Sequence, residues 1–174
     1  PGSREQEVEK MLSLMLSVRD SFKNYQFVIA GAPSLPKEFY QKFVDDDVHF
    51  VSNKTYDLLR CSKAALVTSG TATLETALLN VPEIVCYRTS TISYEIGKRV
   101  VKNIKFISLV NLIMDREIVK ELIQKELNTE NLVAELQSIL DGEKRDKMLE
   151  NYELLREKLG GKGASEHAAE IIVN

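Results

Sequence analysis

An α/β fold built on a parallel sheet is the architecture this 174-residue chain predicts. Three features point to it. Short apolar runs of strand length alternate with stretches whose apolar residues recur at helical spacing. Small, turn-forming residues stand at the strand-to-helix junctions. The alternation places successive strands side by side with helices on both faces.

The elements follow in order. Residues 3–22 read as a helix, with Ser3 as N-cap and Gln6 three residues later as the reciprocal capping residue. Val8, Met11, Leu12, Met15 and Leu16 form its apolar stripe. Residues 26–30 are a strand broken by Gly31 and Pro33, a short helix follows Pro36, and 48–51 is a further brief strand. Residues 56–60 make one or two helical turns, and 64–68 form the next strand. A helix then runs to about residue 80, where Pro82 stops it, and 83–87 is a strand. Residues 92–101 read as helix and 106–109 as a last short strand. Beyond Asn111 the chain reads as almost wholly helical, with segments near 116–126, 129–140, 144–159 and 164–172. The result is a Rossmann-like core over residues 1–112 and a helical C-terminal extension of the same domain over 113–174.

Composition limits the function. Charges nearly cancel, with 23 basic against 26 acidic residues, so the basic face of a nucleic-acid binder is not expected. No apolar run is long enough to span a bilayer. Cys61 and Cys86 lie in apolar contexts and read as two buried, reduced thiols. His49 and His167 have no ligand-spaced partners, so no metal site is expected. The charged helices read as solvated faces, and the loop 160–163 lacks both the Ser or Thr and the preceding strand that a phosphate loop needs. Pro1-Gly2-Ser3-Arg4 opens straight into a helix, a turn that ordinarily follows a strand, so the chain reads as a piece of something longer.

The segment of greatest chemical content is Ser69-Gly70-Thr71-Ala72-Thr73-Leu74-Glu75. The first amides of a helix lack intrahelical partners, and the helix dipole adds about half a positive charge there. Gly70 lets a phosphate approach the backbone, and Glu75 lies where a carboxylate can accept from a sugar diol. An ordinary N-cap, with Ser69 or Thr71 satisfying one amide, accounts for the same residues.

Companion motifs follow in order: Gly2-Ser3-Arg4 with Glu7, then Pro82, Val85, Tyr87 and Arg88, then Ser108-Leu109-Val110-Asn111-Leu112, then Glu121 and Gln124. With the 69–75 segment, this set closely resembles the C-terminal half of the lipid-A-disaccharide synthase family, which are GT-B glycosyltransferases. The resemblance covers essentially the whole chain. It implies a donor half for a reaction joining UDP-2,3-diacylglucosamine to 2,3-diacylglucosamine 1-phosphate. The products are a β-1,6 disaccharide and UDP, and neither cofactor nor metal is implied. It further implies a cytoplasmic enzyme of Gram-negative lipid A biosynthesis, peripheral to the inner membrane. The catalytic base and acceptor site belong to an N-terminal domain outside this chain, so no catalytic residue is expected in this half, and the chain alone should bind UDP without full catalysis. A homo-oligomer, or strand exchange with another copy, is compatible with it.

Residue by residue, the resemblance puts Ser69, Gly70, Thr71 and Arg4 on the diphosphate and Glu75 on the ribose. Tyr87, Arg88, Asn111, Glu121 and Gln124 go to the donor or the cleft, the last two on one helix face. Local alternatives stand beside these roles. Arg4 has a first-turn ion pair open to it, Arg88 has Glu83 or Glu95 as partners, and Glu121 and Gln124 fit a solvated helix face. Two other readings remain: a GT-B or epimerase-type domain for a different UDP-sugar, and a non-enzymatic interaction module in the helices after Asn111.

Overall fold

The computed structural model describes residues 1–89 and 105–160. The expected helices at 92–101 and 164–172, most of the 160–163 loop, His167 and Glu95 lie outside the described residues. Helix α1 (Glu5–Leu16) leads through a 3₁₀ turn (Arg19–Ser21) to strand β1 (Phe27–Gly31). After α2 (Lys37–Tyr40) and a second 3₁₀ turn come β2 (Val48–Ser52), α3 (Thr55–Cys61), β3 (Ala65–Thr68) and α4 (Thr71–Leu78). Strand β4 (Glu83–Tyr87) precedes α5 (Leu109–Met114), β5 (Lys120–Ile123), α6 (Thr129–Leu140) and α7 (Glu143–Lys158).

All strand pairings are parallel. They form two groups, β1-β2 and β3-β4-β5. Between the groups lies a slot of about 1080 Å³, lined by every residue of β1 and β3, by Pro1 and Gly2 at one end, and by α3. Among the described residues, both strands therefore leave one hydrogen-bonding edge facing this space. Phe27, Val28, Ala30 and Leu66 are only half-buried as a consequence.

The structure departs from the sequence expectations in four respects. Ser3 does not cap α1: Arg4 takes the N-cap position, no side chain caps the helix, and the helix ends at Leu16 instead of Phe22. The strand expected at 106–109 is the entry to α5, where Ser108 is the N-cap and its Oγ accepts from the Asn111 amide at 3.3 Å. Residues 116–126 contain strand β5 instead of a helix, so Glu121 and Gln124 do not share a helix face. Ile118, Val119 and Ile123 favour the extended form, and burial of Glu121 among hydrogen-bond donors removes the solvent its charge would otherwise require. Finally, Cys61 is exposed, whereas Cys86 is fully buried in β4 and burial pushes its thiol up to about 12.

The main core joins Met11 and Met15 of α1 with Ile84, Val85 and Cys86 of β4, Leu122 of β5 and residues of α6 and α7. A second cluster packs Val8 and Leu12 against Ile29, Tyr40 and Val48. Helix α1 thus bridges the two strand groups.

Glu83 is an anomaly of this core. It is completely buried, and both carboxylate oxygens lack a hydrogen-bond partner among the described residues. Burial raises its pKa well above the ordinary carboxylate value. An acid raised on folding contributes stability that is complete below its unfolded value and is lost as pH rises through its folded value. Glu83→Met, which keeps the volume and removes the charge, is therefore expected to stabilise the chain at pH 7 by about 1–3 kcal/mol. Denaturant titrations across pH 4–8 check this: the gap between variant and parent should widen as pH rises.

Candidate functional site

The 69–75 segment sits at the carboxyl edge of the β3-β4-β5 sheet, where β3 turns into α4. Gly70 occupies the N-cap position with φ 155° and ψ −165°, a region essentially confined to glycine. A Cβ added there would meet nothing within 4 Å, so the glycine is demanded by its backbone and leaves open space above the turn. Among the described residues no side chain caps α4. The Ser69 hydroxyl donates instead to the Ile107 carbonyl at 2.9 Å, and the Thr73 hydroxyl donates to the Gly70 carbonyl at 2.8 Å. The ordinary N-cap explanation of Ser69 and Thr71 does not hold. The leading amides of the helix keep their donor capacity toward the open side.

Three neighbouring segments converge on this edge. The Ser69 amide donates to the Cys86 carbonyl at 3.3 Å, which sets the turn beside the end of β4. The Gln124 amide donates to the Tyr87 carbonyl at 2.9 Å, and Gln124 turns the chain out of β5 with φ 52°. Gly2, with φ 106°, lies against the Thr68 side chain, so the start of α1 stands next to the end of β3. Arg4 follows it with an exposed side chain, paired to Glu7 at 3.5 Å in the first-turn contact its position allows. Arg88 is exposed at the end of β4. Glu83, at the opposite end of that strand and unpartnered, is not its ion-pair partner.

Glu75 lies one turn further into α4, half-buried and lining the same open space as Gly70 and Thr71. Tyr56 of α3, about half exposed, faces it: the Glu75 charge, aided by a hydrogen bond from the phenol, raises the tyrosine pKa. Nothing in the local sequence of Tyr56 signals this contact, which depends on α3 and α4 both bordering the slot.

Asn111 and Glu121 are placed differently from the expectation that they face a donor. Asn111 is fully buried and Glu121 is 7% exposed. Glu121 Oε1 accepts from the Ser108 amide (2.9 Å), the Ser108 hydroxyl (2.7 Å) and Asn111 Nδ2 (2.9 Å), and Oε2 accepts from the Ile107 amide at 2.9 Å. Asn111 also donates to the Val119 carbonyl at 2.8 Å and accepts from the amides of Ile118 and Val119 at 2.7 and 3.0 Å. These two side chains form a saturated polar hub beneath the edge, while Ser69–Thr71, Tyr87, Arg88, Gln124 and the start of α1 form the edge itself. Among the described residues no group of His, Cys, Asp and Glu is arranged to hold a metal, and no helix is long and apolar enough to cross a membrane.

A parallel α/β sheet flanked by helices, with a strand-to-helix turn at its carboxyl edge, is Rossmann-like and consistent with one half of a GT-B fold. The sequence comparisons narrow the class. The Lipid-A-disaccharide synthetase family matches residues 1–173, and the chain belongs to that family. It is 39% identical over 178 residues to the lipid-A-disaccharide synthase of Syntrophus aciditrophicus (strain SB), covering 97% of this chain and 46% of that protein. Likeness to the synthase of Persephonella marina (strain DSM 14350 / EX-H1) is 35% over 184 residues, covering 99% and 48%. To that of Geobacter metallireducens (strain ATCC 53774 / DSM 7210 / GS-15) it is 33% over 181 residues, covering 99% and 47%. The chain spans about half the length of the curated relatives it matches.

Proposed function

We propose that this chain is the donor-binding half of a lipid-A-disaccharide synthase, with the diphosphate of a UDP-linked diacylglucosamine held at the 69–71 turn. The observation that carries this is the uncapped start of α4 at Gly70, open toward solvent, in a chain of this family. The helix amides meet the phosphate oxygens, and Glu75 accepts from the ribose hydroxyls. Arg4 swings from its exposed pairing with Glu7 to bring a second positive charge to the departing UDP. Tyr87, Arg88 and Gln124 border the donor sugar along the same edge.

In the reaction the 6-hydroxyl of a diacylglucosamine 1-phosphate attacks the anomeric carbon of the donor. The bond from that carbon to the phosphate oxygen breaks, UDP leaves with the electron pair, and the hydroxyl proton passes to a base on the other half of the enzyme. Stabilising charge on the leaving group is commonly the largest catalytic contribution. Here it comes from backbone amides and Arg4, with no metal in the scheme. On this reading the enzyme works peripherally at the cytoplasmic face of the inner membrane, where acylated substrates of this kind would partition.

Calorimetric titration with UDP tests the reading. The parent chain is expected to bind, and Glu75→Ala to bind at least about tenfold more weakly, a loss of about 1.4 kcal/mol. No heat of binding from a folded parent would overturn it.

A further inference from the structure

We propose that Glu121 is a positioning residue, acting on the 69–71 turn through the main chain of Ile107. The evidence is a continuous relay across the sheet edge. Glu121 Oε2 accepts the Ile107 amide at 2.9 Å, and the carbonyl of the same residue accepts the Ser69 hydroxyl at 2.9 Å. Both faces of one peptide residue are thereby fixed, one by a carboxylate on β5 and the other by the turn that follows β3. Strand β4 lies between them, and its Cys86 carbonyl takes the Ser69 amide at 3.3 Å. Glu121 cannot itself reach a ligand at the turn, because it is 7% exposed and four donors already occupy its carboxylate.

The relay also assigns a role to Ser69. Its hydroxyl proton is committed to Ile107, so the turn presents a ligand with backbone amides of Thr71 and Ala72, not with a serine O–H. Pre-orienting such donors in the empty protein removes the reorganisation that binding would otherwise require.

Glu121→Gln cuts this relay at a single link. The amide oxygen of glutamine takes the place of Oε1, where three donors converge, and its NH₂ then faces the Ile107 N–H, donor against donor. The hub below survives while Ile107 is released.

The proposal rests on the donor-binding reading for its functional consequence, so the experiment has two arms. Amide resonances are assigned by NMR in the parent chain, in Glu121→Gln, in Ser69→Ala and in Val48→Ala, which perturbs the other core cluster. Glu121→Gln and Ser69→Ala are expected to shift the Gly70, Thr71 and Ala72 amides in the same direction and to leave Ile29 and Val48 in place. Val48→Ala should do the reverse. Unmoved Gly70 and Thr71 amides in Glu121→Gln would overturn the proposal whether or not UDP binds. The second arm titrates UDP into the same proteins, with an expected weakening of about tenfold for Glu121→Gln and little change for Val48→Ala. Equal weakening in Val48→Ala and Glu121→Gln would reduce Glu121 to a general stability role and also overturn it. A parent that binds no UDP sinks the donor reading and leaves the resonance arm to decide the relay.

Discussion

Asn111→Ala is expected to lower the melting temperature of this chain by roughly 6–20 °C. The side chain is fully buried and makes four hydrogen bonds at 2.7–3.0 Å, to the amides of Ile118 and Val119, the Val119 carbonyl and Glu121 Oε1. Truncation strands these groups away from water, where each unsatisfied group costs about 1–3 kcal/mol. Partial relaxation and water entry bring the sum to roughly 3–5 kcal/mol, toward the upper end for single substitutions. A domain of this size loses about 2–4 °C per kcal/mol, which gives the stated range. Asn111→Asp tests the sign of the charge. Its carboxylate would face the Glu121 carboxylate and the Val119 carbonyl with no proton to donate, so its pKa should rise on folding. The variant should then be most stable at low pH and lose stability as pH rises. Thermal denaturation followed by circular dichroism at pH 4.5 and 7.5 measures both. A variant with the parent melting temperature that loses only UDP affinity would return Asn111 to the cleft role its motif suggested.

That contrast shows what the sequence could disclose. The turn at Gly70 was legible because its ingredients are local: a short apolar strand, a glycine and a helix start, all within a dozen residues. Strand β4 was legible for the same reason, as a β-branched run closed by Pro82 and Tyr87. Glu121 was not. In the segment Glu117-Ile118-Val119-Lys120-Glu121 three charges in five positions read as a solvated helix, and the donors that make burial tolerable come from Ile107, Ser108 and Asn111, ten or more residues away. The same non-local partner explains why Ser69 looked like a cap: its preference for a helix start is real, but the Ile107 carbonyl competes for the hydroxyl. Packing then separates the residues of the motif set, burying Asn111 and Glu121 and leaving Tyr87, Arg88 and Gln124 at the edge.

The slot between β1 and β3 supports the second large effect, in the stabilising direction. Its walls are two parallel strands, each paired on one side only among the described residues, β1 with β2 and β3 with β4. Central strands of parallel sheets are continuous apolar runs paired on both edges. Gly2 stands against Thr68 at the carboxyl end of β3, so a strand running into Pro1 would lie parallel to both neighbours. Helix α1 would then form the crossover to β1, in keeping with the usual βαβ connection. Placing the pentapeptide Val-Ile-Val-Leu-Leu directly before Pro1 should supply about five ladder hydrogen bonds. At about 0.5–1.5 kcal/mol each they contribute roughly 3–7 kcal/mol before the cost of ordering the added residues. Fixing five residues takes back about 1–2 kcal/mol apiece, and burial of their apolar side chains together with Phe27, Val28 and Leu66 offsets that loss. A net gain near 3 kcal/mol corresponds to roughly 6–12 °C in melting temperature. A chain carrying Gly-Ser-Gly-Ser-Gly at the same place should melt with the parent. Hydrogen exchange locates the effect: amides along β1 and β3 should become protected in the apolar extension alone, with sedimentation confirming that it stays monomeric. An apolar extension that raises neither the melting temperature nor the protection of Ile29 and Val67 would show that the two strand groups are complete without a strand between them.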